Sequence, residues 1–542
     1  MKQIGFKNFR RFKDLPPIDL SPITFFVGEN NSGKSTVVKG ILALSDFLKS
    51  NPITFDFEEF DMFDFEDNKS EEKIINIRRQ RTQEILKNIK FSFNASYLAH
   101  IGTFKRALYN KSDSNIISFR AKIGYLHFEI NIKGNPSNDE AVSGNVSSIM
   151  IYLSSIGLHL NYDFFDDKTT MLFLPPNRVE FKDDTPEEVK EFISNFTEQI
   201  TIEFRISDYW SPVSSDFISS LISSTEDIIN ITLFPPSDDR FAIFARSMRM
   251  RNVLSHVKPL VFDNKTKKFL LSYCKMLLGH EYSDRHREDI VPFRLPVGQR
   301  RLRSIDVEYL YAHAVSQTVL YSAKDTNDYL SRTIHEFASL PKQTQIQKRK
   351  FIIHWMKEFG VGKEYSISSV GGEAHIVKIT NFDDKKVNLA DKGMGSIQLM
   401  VLLFRIAINL PTSKADRYPG YKVVSKNIII IEEPEQNLHP MLQSKLTDLF
   451  FDLFMQYGYR FIIETHSEYM VRRSQVIVGD NFDTEEKLKN NPFKVYYFPA
   501  DGAPYDMIYT PSGLFKRKFG EGFISEAGRL HMAVLKNAKK QQ

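Results

Sequence analysis

The sequence predicts an α/β protein, and three stretches carry that prediction. Residues 22–44, PITFFVGENNSGKSTVVKGILAL, read as a short apolar strand, a glycine-containing loop and an apolar-periodic helix. Residues 428–440, IIIIEEPEQNLHP, place four isoleucines before two adjacent glutamates. An apolar run bounded in this way is a strand buried on both faces of a sheet. Residues 461–473, FIIETHSEYMVRR, give a strand, a histidine at its end and a helix.

The gross composition bounds what such a sheet belongs to. At 542 residues the chain is too long for one ordinary core, so two or three lobes are expected. Hydrophobic residues at 42% and charged residues at 26% are those of a globular chain, not a disordered one. A net charge of +5 permits contact with nucleic acid without requiring it. Cys274 is the only cysteine, which excludes an internal disulfide and a cysteine-based zinc site. The opening MKQIGFKNFRRFKDL lacks the apolar core of a signal peptide, and no stretch is long and apolar enough to span a bilayer. A cytoplasmic protein without a membrane segment is expected.

The first stretch carries chemistry. Gly28-Glu29-Asn30-Asn31-Ser32-Gly33-Lys34-Ser35 fits G-x-x-x-x-G-K-[ST] between a strand and a helix, the context that pattern needs. Gly28 and Gly33 let the backbone wrap so that successive N–H groups face a phosphate at the positive end of the helix. Asn30, Asn31, Ser32, Gly33, Lys34, Ser35 and Thr36 are therefore the nucleotide-binding candidates. Lys34 reaches the β- and γ-phosphates, and the Ser35 hydroxyl ligates Mg²⁺. The acidic pair supplies the other half, and its strand is expected beside the phosphate loop in the sheet. Glu432 would hold Mg²⁺ through water, and Glu433 would polarise the attacking water as general base. The rival, an acidic strand end that is merely solvated, fits four consecutive isoleucines poorly.

A further glycine-rich turn, Gly393-Met394-Gly395-Ser396-Ile397-Gln398, precedes an apolar helix. In order, the chain thus offers a phosphate loop, a glycine–serine turn, an acidic strand, an E-P-E-x-x-L-H-P turn and a T-H-S switch. That order resembles the ABC-type ATPases, and more narrowly the SMC, RecF and OLD-like branch; FKNFRRFKDL ahead of GENNSGKST is similar to that branch's N-terminal hairpin. The resemblance implies an ABC-type ATPase head, a P-loop mixed sheet with an antiparallel β subdomain and a helical insertion. It implies ATP and Mg²⁺ as cofactors and a head-to-tail homodimer or higher homo-oligomer. It further implies that the Gly395 amide, Ser396 and Gln398 bind the γ-phosphate held by the partner's Lys34. Asn437 and His439 would lie in the turn crossing the dimer interface, and His466 would be the switch histidine on the γ-phosphate. Arg10 and Asn8 would lie near the nucleotide. Glu432 stands where an aspartate is usual, and GMGSIQ replaces the commoner LSGGQ.

Between these motifs the expected order is an ATPase lobe over 1–175, a mainly helical insertion over 176–380 and a second ATPase lobe over 381–542. Residues 75–165 alternate apolar and polar, as in ISFRAKIGYLHFEINIKG, the period of antiparallel strands with one wet face. Thr185 with Glu188 reads as a capping box, and the run after Leu302 has helical spacing. Arginines 246, 249 and 251, then 285, 287, 294, 300, 301 and 303, are either a solvated face or a track for nucleic-acid phosphates. The acid-aromatic run 55–68 is a protein docking surface or a packed edge, and the arginine of Leu174-Pro175-Pro176-Asn177-Arg178 either faces the site or does not.

About seventy residues follow His466, without the glutamate-plus-D-x-D cluster of a Toprim nuclease and without an HNH pattern. Size, short insertion and a terminal G-E-G-F (520–523) resemble the PtuA-type ATPase subunit of Septu and retron-associated anti-phage systems. That resemblance implies a separate HNH nuclease subunit (PtuB-like) as partner, with DNA or a retron RNA or msDNA as a further possible ligand. Two rivals stand beside it: a RecF-like DNA-binding repair ATPase, and a scaffold that binds ATP with little hydrolysis.

Overall fold

The computed structural model describes residues 1–49, 71–94, 100–123, 126–153, 157–174, 190–191, 195, 199–208, 217–233, 260–278, 307–310, 319–322, 328–411, 428–520, 523, 529–534 and 536. The arginine clusters, the acid-aromatic run, Thr185 with Glu188, residues 175–178 and residues 521–522 lie outside them. The chain forms two compact units, one of Met1–Asp19 with Lys39–Ile305, the other of Leu20–Val38 with Asp306–Gln542.

The first unit is built on an antiparallel sheet. Its strands are β1 (Gln3–Phe9), β2 (Phe12–Asp19), β4 (Lys90–Ser92), β5 (Ile116–Ile123), β6 (Leu126–Lys133), β7 (Ser143–Leu153), β8 (Leu158–Asp163), β9 (Lys168–Phe173) and β10 (Ile200–Phe204). They run in the order β10-β9-β8-β7-β6-β5-β1-β2, with β4 paired to β7. The alternation read from the sequence is kept in β6, which buries every second residue from Leu126 to Ile132, but residues 75–87, read as part of the same strand region, lie in a helix over Glu71–Lys87. Phe6, Phe9, Phe91 and Phe119 pack together on the buried face, Phe91 and Phe119 with ring centroids 4.8 Å apart. The helices α2 (Glu71–Lys87), α3 (Phe217–Leu233) and α4 (Asn264–Leu278) also belong to this unit, and α1 (Lys34–Lys49) carries the chain into it from the second unit.

The second unit holds the sheet that matters for the site. Its strands are β3 (Ile23–Gly28), β11 (Val307–Leu310), β16 (Ile428–Glu432), β17 (Arg460–Glu464), β18 (Phe493–Phe498) and β19 (Tyr505–Asp506). The order is β11-β16-β17-β3-β18-β19; the first five strands of that order are parallel and β19 is antiparallel. Two findings differ from the sequence reading. The acidic strand β16 is not beside β3, because β17 lies between them, in register with both. The run after Leu302, read as helical, includes Val307–Leu310 as strand β11, all four residues buried. Its tyrosine, valine and leucine suit a strand that pairs with the isoleucines of β16. A smaller antiparallel sheet joins β12 (Tyr321–Ser322), β13 (Glu364–Val370), β14 (Ala374–Thr380) and β15 (Lys386–Asn388), the first three of which fall where a mainly helical insertion was expected.

Helices α5 (Tyr329–Ala338), α6 (Lys342–Glu358), α7 (Met394–Asn409), α8 (Pro440–Tyr457) and α9 (Glu468–Asn481) belong to this unit. One buried cation fixes α7. Lys348 on α6 is 4% exposed and donates to the carbonyls of Ala407, Ile408 and Leu410, at 2.6, 2.6 and 2.8 Å. These are groups that a helix end leaves without intrahelical partners, at the negative pole of the helix dipole. Burial lowers its pKa to about 8, which still leaves it mainly charged at neutral pH. Lys348→Met keeps the stem and removes the donor from all three carbonyls, of which only that of Ala407 keeps another among the described residues, the Leu410 N–H at 3.1 Å. It is expected to cost on the order of 2 kcal/mol in urea unfolding; an unchanged midpoint would mean that water serves those carbonyls equally well.

Candidate functional site

The phosphate loop, the acidic strand and the switch all lie in the second unit. The loop leaves β3 at Gly28, whose φ is +133°. A Cβ there would stand 2.1 Å from the carbonyl oxygen of Phe498, at the end of β18, so only glycine fits. The N–H of Glu29 donates to that same oxygen at 3.1 Å. Asn31 and Gly33 also have positive φ, 58° and 104°, and α1 starts one residue later. Such alternation turns main-chain amides inward, and the first-turn amides of α1 add to the concave positive surface. Asn30 and Asn31 are exposed on its rim, while Ser32 and Thr36 are buried.

Lys34 is 3% exposed, and its ammonium donates to the carbonyls of Gly28 and Glu29 at 3.2 and 2.8 Å. Burial lowers its pKa, and the carboxylates of Glu464, Glu433 and Glu435 oppose that shift. Ser35 is exposed, and its hydroxyl donates to Glu464 Oε1 at 2.8 Å. Glu464 closes β17 and sits opposite Glu432 on β16 in the parallel register. It is 5% exposed, and burial with the neighbouring Glu432 pushes its pKa up to about 7, against the Ser35 hydrogen bond and Lys34.

Glu433 has the left-handed φ of 45°, an unusual conformation for a glutamate of the kind that collects at functional sites. Its N–H donates to the carbonyl of Glu464 at 2.7 Å, which fixes the bend after β16. Its carboxylate accepts from the Gln436 amide and stands 3.8 Å from His466 Nε2. Burial and then Lys34 lower the pKa of His466, while Glu433 opposes them.

The turn after the acidic pair is tied to the switch. Glu435, 8% exposed, accepts the His466 N–H at 2.7 Å, and burial raises its pKa. Ser467 caps α9 and donates to Gln443 Oε1 at 2.6 Å, while the Gln443 amide donates to the carbonyl of Leu438 at 2.9 Å. Asn437, with φ 58°, donates to Gln398 Oε1 at 3.4 Å. A Cβ on Gly395 would lie 2.4 Å from the Asn437 carbonyl, so the glycine–serine turn and the E-P-E turn of one chain pack directly. Ser396 sits in the first turn of α7, behind Gly393, and His439 caps α8.

Of the residues singled out from the sequence, Lys34, Ser35, Glu433 and His466 thus converge, with Glu432 one strand beyond Glu464. Arg10 and Asn8 belong to the first unit, on its β1–β2 hairpin, both with positive φ. Glu464, Glu435 and Gln436 were not singled out. A signal existed for the first: FIIE and IIIIE are both apolar runs ending on glutamate.

The residues fit a magnesium–nucleotide pair. Ser32 Oγ and Glu464 Oε2 are buried with no hydrogen-bond partner among the described residues, so polar valences are left over beside the loop. No group of three acidic, histidine or cysteine side chains among the described residues makes a ready metal cage. Mg²⁺ is usually held by one or two carboxylates together with substrate phosphates, and Glu432 and Glu464 end adjacent strands. No helix among the described residues is long and apolar enough to cross a membrane.

A family model described as an AAA ATPase domain, AAA_15, matches residues 1–471. No curated protein matches the sequence. Among solved structures, the SMC head domain from Thermotoga maritima is similar at 9% identity, covering 93% of this chain and 98% of that one, with a TM-score of 0.31. The Smc head domain with an extended coiled coil bound to the C-terminal domain of ScpA, from Pyrococcus furiosus, has 10% identity, covers 99% of both chains and has a TM-score of 0.31. The Smc head with a coiled coil and joint from Pyrococcus yayanosii has 10% identity, covers 94% and 97%, and has a TM-score of 0.33. Likeness of this size fixes neither activity nor partner for this chain.

Proposed function

The chain belongs to the AAA ATPase domain family AAA_15, and from that premise we propose that it is an ABC/SMC-like ATP hydrolase whose ATP-dependent dimerisation governs an associated nuclease in prokaryotic anti-phage defence. The observation that carries the hydrolase is the meeting of Lys34, Ser35, Glu464, Glu433 and His466 at the ends of three adjacent parallel strands. Lys34 would exchange its two carbonyl acceptors for phosphate oxygens. Bound Mg²⁺ would neutralise charge developing on the β- and γ-phosphates, with Ser35 and Glu432 beside it. Glu433 would take the proton of the attacking water while His466 donates to the γ-phosphate. Gly395, Ser396, Gln398 and Asn437 would face the nucleotide of a partner copy.

The defence reading rests on the sequence resemblance, and the nuclease and any nucleic acid belong to it. A scaffold with slow hydrolysis has one observation in its favour: Gln436 already engages the Glu433 carboxylate. A phosphate-release assay separates the two, and release no faster than from a Lys34→Ala control would sink the hydrolase. Plaque counts in cells expressing the chain together with its neighbouring open reading frames test the rest. Unchanged counts would sink the defence role alone.

A further inference from the structure

The acid that meets the phosphate-loop hydroxyl is not the one at the end of the isoleucine strand. Neighbouring strands lie about 4.8 Å apart, and β17 is the strand next to β3. A side chain at the end of β17 is therefore one spacing from the loop, and one at the end of β16 is two. Ser35 Oγ accordingly donates to Glu464 Oε1 at 2.8 Å, and Glu464 keeps its other oxygen buried without a hydrogen-bond partner among the described residues. Ser32 Oγ, 3% exposed in the same loop, is buried in the same condition.

Resting on the ATP·Mg²⁺ reading above, we propose that Glu464 is the carboxylate that orients Ser35 toward the divalent cation, and that it shares the cation's charge with Glu432. The hydroxyl has one proton and two lone pairs. With its proton on Glu464, it turns a lone pair away from that carboxylate, the orientation a cation ligand needs. Two adjacent carboxylates at the ends of β17 and β16 repel, and Lys34, whose ammonium is bound to two carbonyls, offsets them only in part. A divalent cation supplies the remaining charge. Partners that orient a metal's ligands typically set affinity by about 10- to 100-fold.

Mn²⁺ is the probe, read by electron paramagnetic resonance on the full chain with ATP. Glu464→Gln keeps an oxygen that accepts from Ser35 but removes the charge. It should weaken ATP-dependent Mn²⁺ binding by about 10- to 100-fold, while ATP binding in EDTA, with one negative charge fewer beside the loop, should not weaken. Glu464→Asp, which retains the charge, should recover part of the loss; it also decides the matter if Glu464→Gln does not fold. A purely structural Glu464 would move the unfolding midpoint and leave Mn²⁺ affinity at the wild-type value, which overturns the proposal. So does a loss confined to Glu432→Gln. A wild-type chain that binds ATP but shows no ATP-dependent Mn²⁺ signal overturns it too. One that binds no ATP brings down the underlying reading with it.

Discussion

Glu433→Gln is expected to lower phosphate release by about 10²- to 10⁴-fold, the range a positioned general base contributes, while ATP stays bound. The substitution is isosteric, and the main-chain geometry that aims the residue is independent of its charge: the left-handed φ of 45° and the 2.7 Å hydrogen bond from its N–H to the Glu464 carbonyl both remain. What goes is a carboxylate able to take a proton 3.8 Å from His466 Nε2. Binding without turnover should hold the ATP-bound assembly together, so size-exclusion chromatography with ATP should show a species of at least twice the monomer mass. Turnover at the wild-type rate would remove Glu433 from the chemistry.

Lys34→Ala is expected to weaken ATP binding by about 10- to 100-fold, from the loss of charge-assisted bonds to phosphate. Its ammonium is held where the Glu464, Glu433 and Glu435 carboxylates all act on it, so its removal also leaves those acids with less compensation. Two effects then add: fewer donors for the nucleotide and a more negative loop to receive it. Calorimetric titration with ATP measures the sum, and affinity equal to wild type would show that the loop amides alone hold the ligand.

How much of this was legible in the sequence depended on how local each signal was. Residues 22–44 state strand, loop and helix within one stretch, and the loop forms as written because Gly28 and Gly33 supply the positive φ it demands. IIIIEE and FIIETHS were readable as strand ends for the same reason. Their order in the sheet was not, because parallel strands from distant segments pair without any local mark. Glu464 followed from that: it was visible as a residue, and only the insertion of β17 beside β3 gave it Ser35 as a partner. VEYL at Val307–Leu310 sat inside helical spacing, and its pairing with β16 overrode that period. Glu435 acts through a main-chain N–H thirty-one residues away, a contact with no residue-type signature.

The close approach of Gly28 to the Phe498 carbonyl sets a schedule for the nascent chain. The nucleotide loop is synthesised well before its flanking strands, which come from residues 460–464 and 493–498. At the usual pace of translation that wait is on the order of a minute. Until it ends, the apolar strand Ile23–Gly28 has no neighbours from its own sheet, and a ribosome that stalls before Phe498 leaves a chain unable to shape its loop.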